Sequence, residues 1–272
     1  MKQKVVSTLI ESGYPMKIIA LGDVVGSAGT EYAVKLINRI KCVENGDLVI
    51  VNAENSAPGN GLDQKSADAL FNAGADVLTG GNHTLRRHEI FDYLDDHNAA
   101  LRPLNLPPSA PGKGFIIMRA SQGLRIMVIN VLGQVFMDPV DNPFTAVDRL
   151  LNEQNGKYDI CVCDIHAEAT SEKAAFARYF DGRINVIFGT HTHVQTADEC
   201  ILPKGSGFIT DLGMCAPIES ILGTKPEPVI KNFVTRVHDR FEAAEGELAL
   251  CGAVFEINPA TKRVTSVKRI KY

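Results

Sequence analysis

Two imidazoles, His191 and His193, stand one residue apart where an apolar run ends in IFGTHTHVQTAD. Side chains at i and i+2 leaving a strand can face one concave site, and imidazole nitrogens suit first-row divalent metals. The same arrangement recurs along the chain. KIIALG is followed by Asp23, DLVIVN by Glu54 and Asn55, DVLTG by Asn82 and His83, and YDICVCDI by His166. Taken singly, each has an ordinary alternative: Asp23 as a helix cap, Asn82 as a turn residue, His166 as a hydrogen-bonded structural histidine. Together they put oxygen and nitrogen donors at the ends of five strands. In an open parallel sheet the carboxyl ends of the strands share the edge where ligands bind. The converging set holds no cysteine, which argues against a soft thiolate site. Its donors exceed the needs of one ion, and Glu54 as a bridge would serve two ions about 3.5–4 Å apart. Two divalent ions against the carboxylates of Asp23 and Glu54 leave a positive surplus. That favours an anionic substrate, phosphate esters above all.

The elements that must carry these residues alternate between strand and helix. Strand-length runs lie at 17–22, 47–52, 76–80, 115–119, 124–133, 158–166 and 184–190. Helical spacing is expected over 30–41, 63–74, 143–156 and 171–182, with Asp63 and Thr170 as N-caps and Pro143 opening the third. Such alternation implies an α/β protein with parallel strands. The last third reads mostly as strands, apart from a helix near 228–239, which implies a second, partly antiparallel sheet. The segment LRRHEIFDYLDDH reads as a helix with exposed charges, so Arg86, Arg87, His88 and His97 are expected at the surface, as is His238. Glycines in GDVVGSAG and ENSAPGNG read as loops open enough to give access to a site, with Gly22 and Gly26 allowing close backbone approach to a ligand. Neither GxGxxG nor GxxxxGK[ST] occurs, which disfavours a dinucleotide or P-loop site.

Composition is consistent with this. The 272 residues are 45% hydrophobic and 22% charged, with a net charge of -4. This excludes a disordered chain, and the lack of a long uncharged apolar run excludes a spanning helix. The six cysteines include no CxxC, and Cys161 and Cys163 are expected to pack as reduced thiols in a core. Residues 1–15 are expected to be an N-terminal extension rather than a signal peptide, ahead of a single domain over 16–272 in a cytoplasmic protein.

Five motifs, GDVVG, NAEN, GGNH, DIHAEAT and GTHTH, occur in the order of the calcineurin-like metallophosphoesterases. The longer forms NAENSAPGNG, HAEATSEK and GTHTHVQTAD resemble the YmdB-like branch of that superfamily. The resemblance implies an αββα sandwich of two packed mixed sheets flanked by helices. It also implies a phosphodiesterase acting on 2′,3′-cyclic nucleotides through metal-activated hydroxide. Carried over, Asp23, Asn55 and His193 would bind one metal, Asn82, His166 and His191 the other, and Glu54 would bridge. His83 would be the catalytic acid beside the leaving group. The chain departs from the superfamily at Val25, where a histidine is usual, and at Glu54, where aspartate is commoner. Two divalent or trivalent ions are expected, iron or manganese first and zinc as the alternative. A small phosphodiester is the expected partner, with a homo-oligomer and no membrane; RNA has no support in the sequence. Two alternatives stay open: a phosphomonoesterase, and a regulatory nucleotide- or RNA-binding protein with a structural metal.

Overall fold

In a computed structural model of the protein, residues 14–120 and 123–272 are described. Most of the expected extension, 1–15, lies outside them. The first part of the chain forms β1 (Met16–Leu21), β2 (Asp23–Val24), α1 (Gly26–Glu44), β3 (Leu48–Asn52), α2 (Gln64–Asn72), β4 (Val77–Thr79) and α3 (Phe91–Asp96). The middle forms β5 (Phe115–Arg119), β6 (Arg125–Leu132), α4 (Pro143–Glu153), β7 (Ile160–His166), α5 (Thr170–Tyr179) and β8 (Val186–Thr190). The last part adds β9 (Cys200–Ile201), β10 (Gly207–Ile209), β11 (Met214–Pro217), α6 (Pro226–Thr235), β12 (Leu248–Ile257) and β13 (Val264–Lys271).

These strands form two mixed sheets. The seven-stranded sheet runs β2-β11-β12-β1-β3-β4, with β13 on the other side of β12, and the six-stranded sheet runs β5-β6-β7-β8-β10-β9. β1, β3 and β4 are parallel, as are β6, β7, β8 and β10; β12 and β13 are antiparallel. The two-residue period of a strand builds the layers. In β1, Ile18 and Ala20 face the second sheet, while Ile19 and Leu21 face the helices; in β3, Leu48 and Ile50 alternate likewise with Val49 and Val51. Across the sandwich, Ile126, Val128, Ile160, Val162, Val186 and Phe188 complete the central core. The outward residues of β1 and β3 pack under Ala33, Ile37 and Ile40 of α1 and Leu70 of α2. Those of β6 and β7 pack under Val147 and Leu150 of α4 and Phe176 of α5. This is the expected αββα sandwich. Cys161 and Cys163 are buried free thiols on the helix side of β7, as expected.

Several local expectations need correction. GDVVGSAG is not an open loop: β2 occupies Asp23–Val24 and α1 begins at Gly26, four residues ahead of the expected start. A Cβ at Gly29 would collide with the Cys215 carbonyl oxygen, so this glycine lets α1 sit directly on β11. Gly22 likewise admits the Gly213 carbonyl, a backbone neighbour rather than a ligand. Asp63 does cap α2, accepting from the Ser66 backbone N–H at 2.7 Å. Thr170 does not cap α5; it is the first helical residue, and Ala169 holds the cap position. The helix expected across LRRHEIFDYLDDH shrinks to a 3₁₀ turn, His88–Ile90, and the six-residue α3, whose Tyr93 and Leu94 are buried. Arg86, His88, His97 and His238 are exposed as expected. Arg87 is half-buried and engaged, its guanidinium donating to the Pro58 and Asn60 carbonyls.

Phe188 is fully buried where both sheets meet, beside Phe255. Phe188→Ala should cost about 3–5 kcal/mol of unfolding free energy, read by urea denaturation. A loss below about 1 kcal/mol would mean that the sheets do not pack through this ring.

Candidate metal centre

The donors gather as expected, but at a seam rather than on one sheet edge. Asp23 in β2 and the loops after β3 (Glu54, Asn55) and β4 (Asn82, His83) belong to one sheet, and His166 at the end of β7 and the loop after β8 (His191, His193) to the other. Ligand atoms of Glu54, His166 and His191 all lie within 4.8 Å of one another. The His166 Nε2 is 3.0 Å from the Asn82 Oδ1, 3.1 Å from the His191 Nδ1 and 3.4 Å from the Glu54 Oε2. On the other side, the His193 Nε2 is 3.7 Å from the Asp23 Oδ1. Asn55 and His83 sit against Glu54: the Asn55 amide donates to the Glu54 Oε1 at 2.6 Å, and the His83 backbone N–H donates to the Glu54 Oε2 at 3.0 Å. In this arrangement the Asn55 Oδ1 meets the His83 Nδ1 at 3.0 Å, so ligation by Asn55 requires its amide to turn.

Each of the three clustered histidines has one ring nitrogen turned into the centre and the other held from outside. The His166 Nδ1 lies 2.9 Å from the Thr190 Oγ1, the His191 Nε2 lies 3.1 Å from the Glu168 carboxylate, and the His193 Nδ1 lies 3.3 Å from the Leu222 carbonyl. Outer contacts of this kind set the tautomer of a metal-ligating imidazole. Beneath them, buried Asp164 accepts from the Thr190 Oγ1 at 2.7 Å, the Thr79 Oγ1 at 2.5 Å and the Asn52 amide at 3.0 Å, tying the sheets together under the site.

The loop carrying the paired histidines is strained. His191 and His193 adopt φ of +95° and +64°, a region that costs a non-glycine residue free energy unless the surroundings enforce it. The enforcing group is Asp211. Its Oδ2 accepts from the Thr192 backbone N–H at 3.2 Å and the Thr192 hydroxyl at 2.7 Å, while the fully buried Lys173 ammonium donates to the same oxygen at 2.8 Å. Asp164, Glu168, Lys173, Thr190 and Asp211 thus serve the site without having been singled out as site residues from sequence. Asp164 and Lys173 had a signal there: each is a charged residue inside an otherwise apolar or helical pattern.

Electrostatically the centre is under tension. Burial pushes the Asp23 carboxyl up to about 6, against the pull of His193 and His166. For Glu54 burial works in the same sense, but His166 and His83 outweigh it and hold the carboxyl well below its ordinary range. Burial opposes charging of His166, yet Glu54, Asp23 and Asp164 raise it to about 9. Burial and the neighbouring His166 push His191 down to about 3.

The residues fit metal ions on three counts. The Asp23 Oδ1 is buried with no hydrogen-bond partner, though buried carboxylate oxygens are normally paired. A Cβ at Gly81 would run into the Glu54 Oε2 and the His166 Nε2, so glycine keeps the cradle clear. The donors are oxygen and nitrogen, the set that first-row metals accept. The centre opens into a cavity of about 320 Å³ lined in part by Asn60, His83, Glu168, His191 and His193. A shallower depression of about 710 Å³ along Asp63, Asp68 and Glu89 lies away from these histidines and has none in its lining.

The chain resembles proteins whose names speak of phosphoester chemistry. Residues 19–270 match the family model described as YmdB-like protein. A Bacillus subtilis (strain 168) relative named 2′,3′-cyclic-nucleotide 2′-phosphodiesterase is 44% identical over 94% of this chain and 96% of its own. A crystal structure of a novel phosphatase from Mycoplasma pneumoniae superposes with a TM-score of 0.89 at 38% identity, covering 95% of this chain and 93% of that one. A hypothetical protein from Thermus thermophilus superposes with a TM-score of 0.88 at 38% identity, covering 94% of this chain and 99% of that one.

Elemental analysis of the purified protein, reconstituted with Mn²⁺, should find bound metal that His166→Ala and His193→Ala hold less well. The parent should also gain about 2.7 kcal/mol of stability at a metal concentration a hundred times Kd, read as a rise in Tm. Equal metal content in parent and both variants would contradict the assignment.

Proposed function

We propose that this chain, which belongs to the YmdB-like family, is a phosphoric ester hydrolase that cleaves phosphodiesters, 2′,3′-cyclic nucleotides foremost, at a two-metal centre. The observation that carries this reading is the buried, unpartnered Asp23 oxygen beside the Glu54–His166–His191 cluster. Asp23, His193 and a turned Asn55 would hold one ion, Asn82, His166 and His191 the other, with Glu54 between them. Iron or manganese suits this donor set, and zinc is the alternative. Bound there, such ions lower the pKa of coordinated water and neutralise phosphoryl charge. The named activity of the B. subtilis relative supports the cyclic substrate.

The chain's own residues supply the rest. The oxygen of a water attacks phosphorus in line, and the bond to one ribose oxygen breaks. His83 donates a proton to that departing oxygen. Its Nδ1 lies 3.2 Å from the Glu54 Oε1, a contact that orients the ring and does not depend on the Asn55 amide, while its Nε2 has no hydrogen-bond partner among the described residues. His83 lines the cavity, where that nitrogen would meet substrate. Thr190 and Asp164 keep the His166 Nε2 directed inward, and Asp211 keeps the His191–His193 loop in its strained form.

Two further features belong to this proposal. The cysteines are free thiols, which suits a reducing compartment and hence the cytoplasm; no helix among the described residues is long and apolar enough to cross a membrane. α6 exposes Ile230, Phe233 and Val234 beside Val237 and Phe241, an apolar surface that suits a homo-oligomer. Light scattering should therefore report more than one chain per particle, and Phe233→Asp should lower that number. A monodisperse monomer in the parent would contradict it.

His83→Ala should keep its metal and lose roughly 10²–10⁴-fold in kcat on 2′,3′-cyclic AMP. Turnover at the parent rate would remove His83 from the proton transfer.

A further inference from the structure

Glu168 follows β7 directly, two residues after His166, and its carboxylate lies 3.1 Å from the outward nitrogen of His191. Unlike Asp23 and Glu54, it is not buried: its side chain is 49% exposed, and it stands in the cavity wall, where the basic groups are the imidazoles of His83, His191 and His193. Among the described residues, the lining of that cavity contains no lysine and no arginine. Of the nearby cations, exposed Arg86 lies outside the lining, and two others are engaged elsewhere. Arg87 is bound to the Pro58 and Asn60 carbonyls and to Glu89, and Lys173 is buried on Asp211. Sites that recognise a doubly charged phosphate group normally present arginine or lysine to it. Here the protein presents a solvent-facing carboxylate instead.

We propose that Glu168 is the residue that selects diesters over monoesters: its carboxylate in the cavity wall disfavours a second negative charge on the bound phosphate. The inference rests on the phosphodiesterase reading above and adds the group that enforces it. A phosphodiester carries one negative charge. When water adds to phosphorus and the ester P–O bond breaks, one proton goes to the leaving oxygen. The resulting monoester has a second pKa near 6 and is largely a dianion at neutral pH. The same carboxylate thus admits the substrate and repels the product. For two unit charges separated by about 8 Å, an effective dielectric between about 20 and 80 would correspond to about twofold to thirtyfold in relative binding.

The Glu168 carboxylate also lies 3.1 Å from the His191 Nε2, so charge and positioning must be separated. Glu168→Gln keeps an acceptor oxygen and removes the charge; Glu168→Ala removes both. With Mn²⁺-loaded protein at pH 8, the ratio of kcat/KM for bis(4-nitrophenyl) phosphate over 4-nitrophenyl phosphate should fall about twofold to thirtyfold in Glu168→Gln, with metal content unchanged. Glu168→Ala should move the ratio the same way, with some loss of metal. Equilibrium binding should follow: inorganic phosphate should tighten relative to dimethyl phosphate in Glu168→Gln. Raising salt should lower the ratio in the parent more than in the variant, because the repulsion is screened. An unchanged ratio in both variants, or an equal loss on both esters, overturns the inference while leaving the phosphodiesterase reading intact. A parent that hydrolyses neither ester nor 2′,3′-cyclic AMP removes that reading and this inference with it.

Discussion

The structure is organised around two carboxylates that water cannot reach. Asp23 and Glu54 have 0% and 1% exposure, and burying an ionised carboxylate without a partner is strongly unfavourable. Among the described residues, no lysine or arginine pairs with either. Four imidazoles, of His83, His166, His191 and His193, and three amide or backbone donors approach them instead, and these are groups that either soften a negative centre or share cations with it. Burial raises Asp23 and lowers His191, while the attraction between His166 and the carboxylates lowers Glu54 and raises His166.

The αββα architecture is what makes that pocket attainable. A single sheet edge could bring Asp23 and the Glu54 and Asn82 loops together, but His166, His191 and His193 arrive from the facing sheet. The inter-sheet space is apolar over most of its depth and turns polar only at this end, where Asp164, Asn52, Thr79 and Thr190 form one hydrogen-bonded plug. That plug fixes the separation of the two half-sites. Because the Asp164 oxygens are shared among hydroxyls and an amide, loss of one member leaves the others unsatisfied in the interior. The strained His191–His193 turn is held in the same manner, through a buried lysine–aspartate pair that touches neither histidine side chain.

Much of this was legible in the sequence. Strand periodicity located β1, β3, β4, β6, β7 and β8 to within a few residues, and the oxygen and nitrogen donors read at the strand ends are the ones the fold brings together. The sheet to which each donor belonged was not legible, since period-2 alternation reports burial and not the partner sheet. β11 escaped notice because MCAP is short and ends in proline. The start of α1 was misplaced because Gly26 and Gly29 read as loop residues, whereas Gly29 is required by a backbone contact in three dimensions. Glu168 was visible only as one letter of HAEAT; nothing in a one-dimensional pattern tells a rim carboxylate from a solvated one.

The central claim is that these residues hold two cations about Glu54. Anomalous diffraction from a crystal grown with Mn²⁺, recorded at the manganese edge, tests it most directly. Two peaks about 3.5–4 Å apart, flanking the Glu54 carboxylate, are the predicted result. Manganese absent from this pocket, or present only at a site remote from Asp23, Glu54 and His166, would contradict the account.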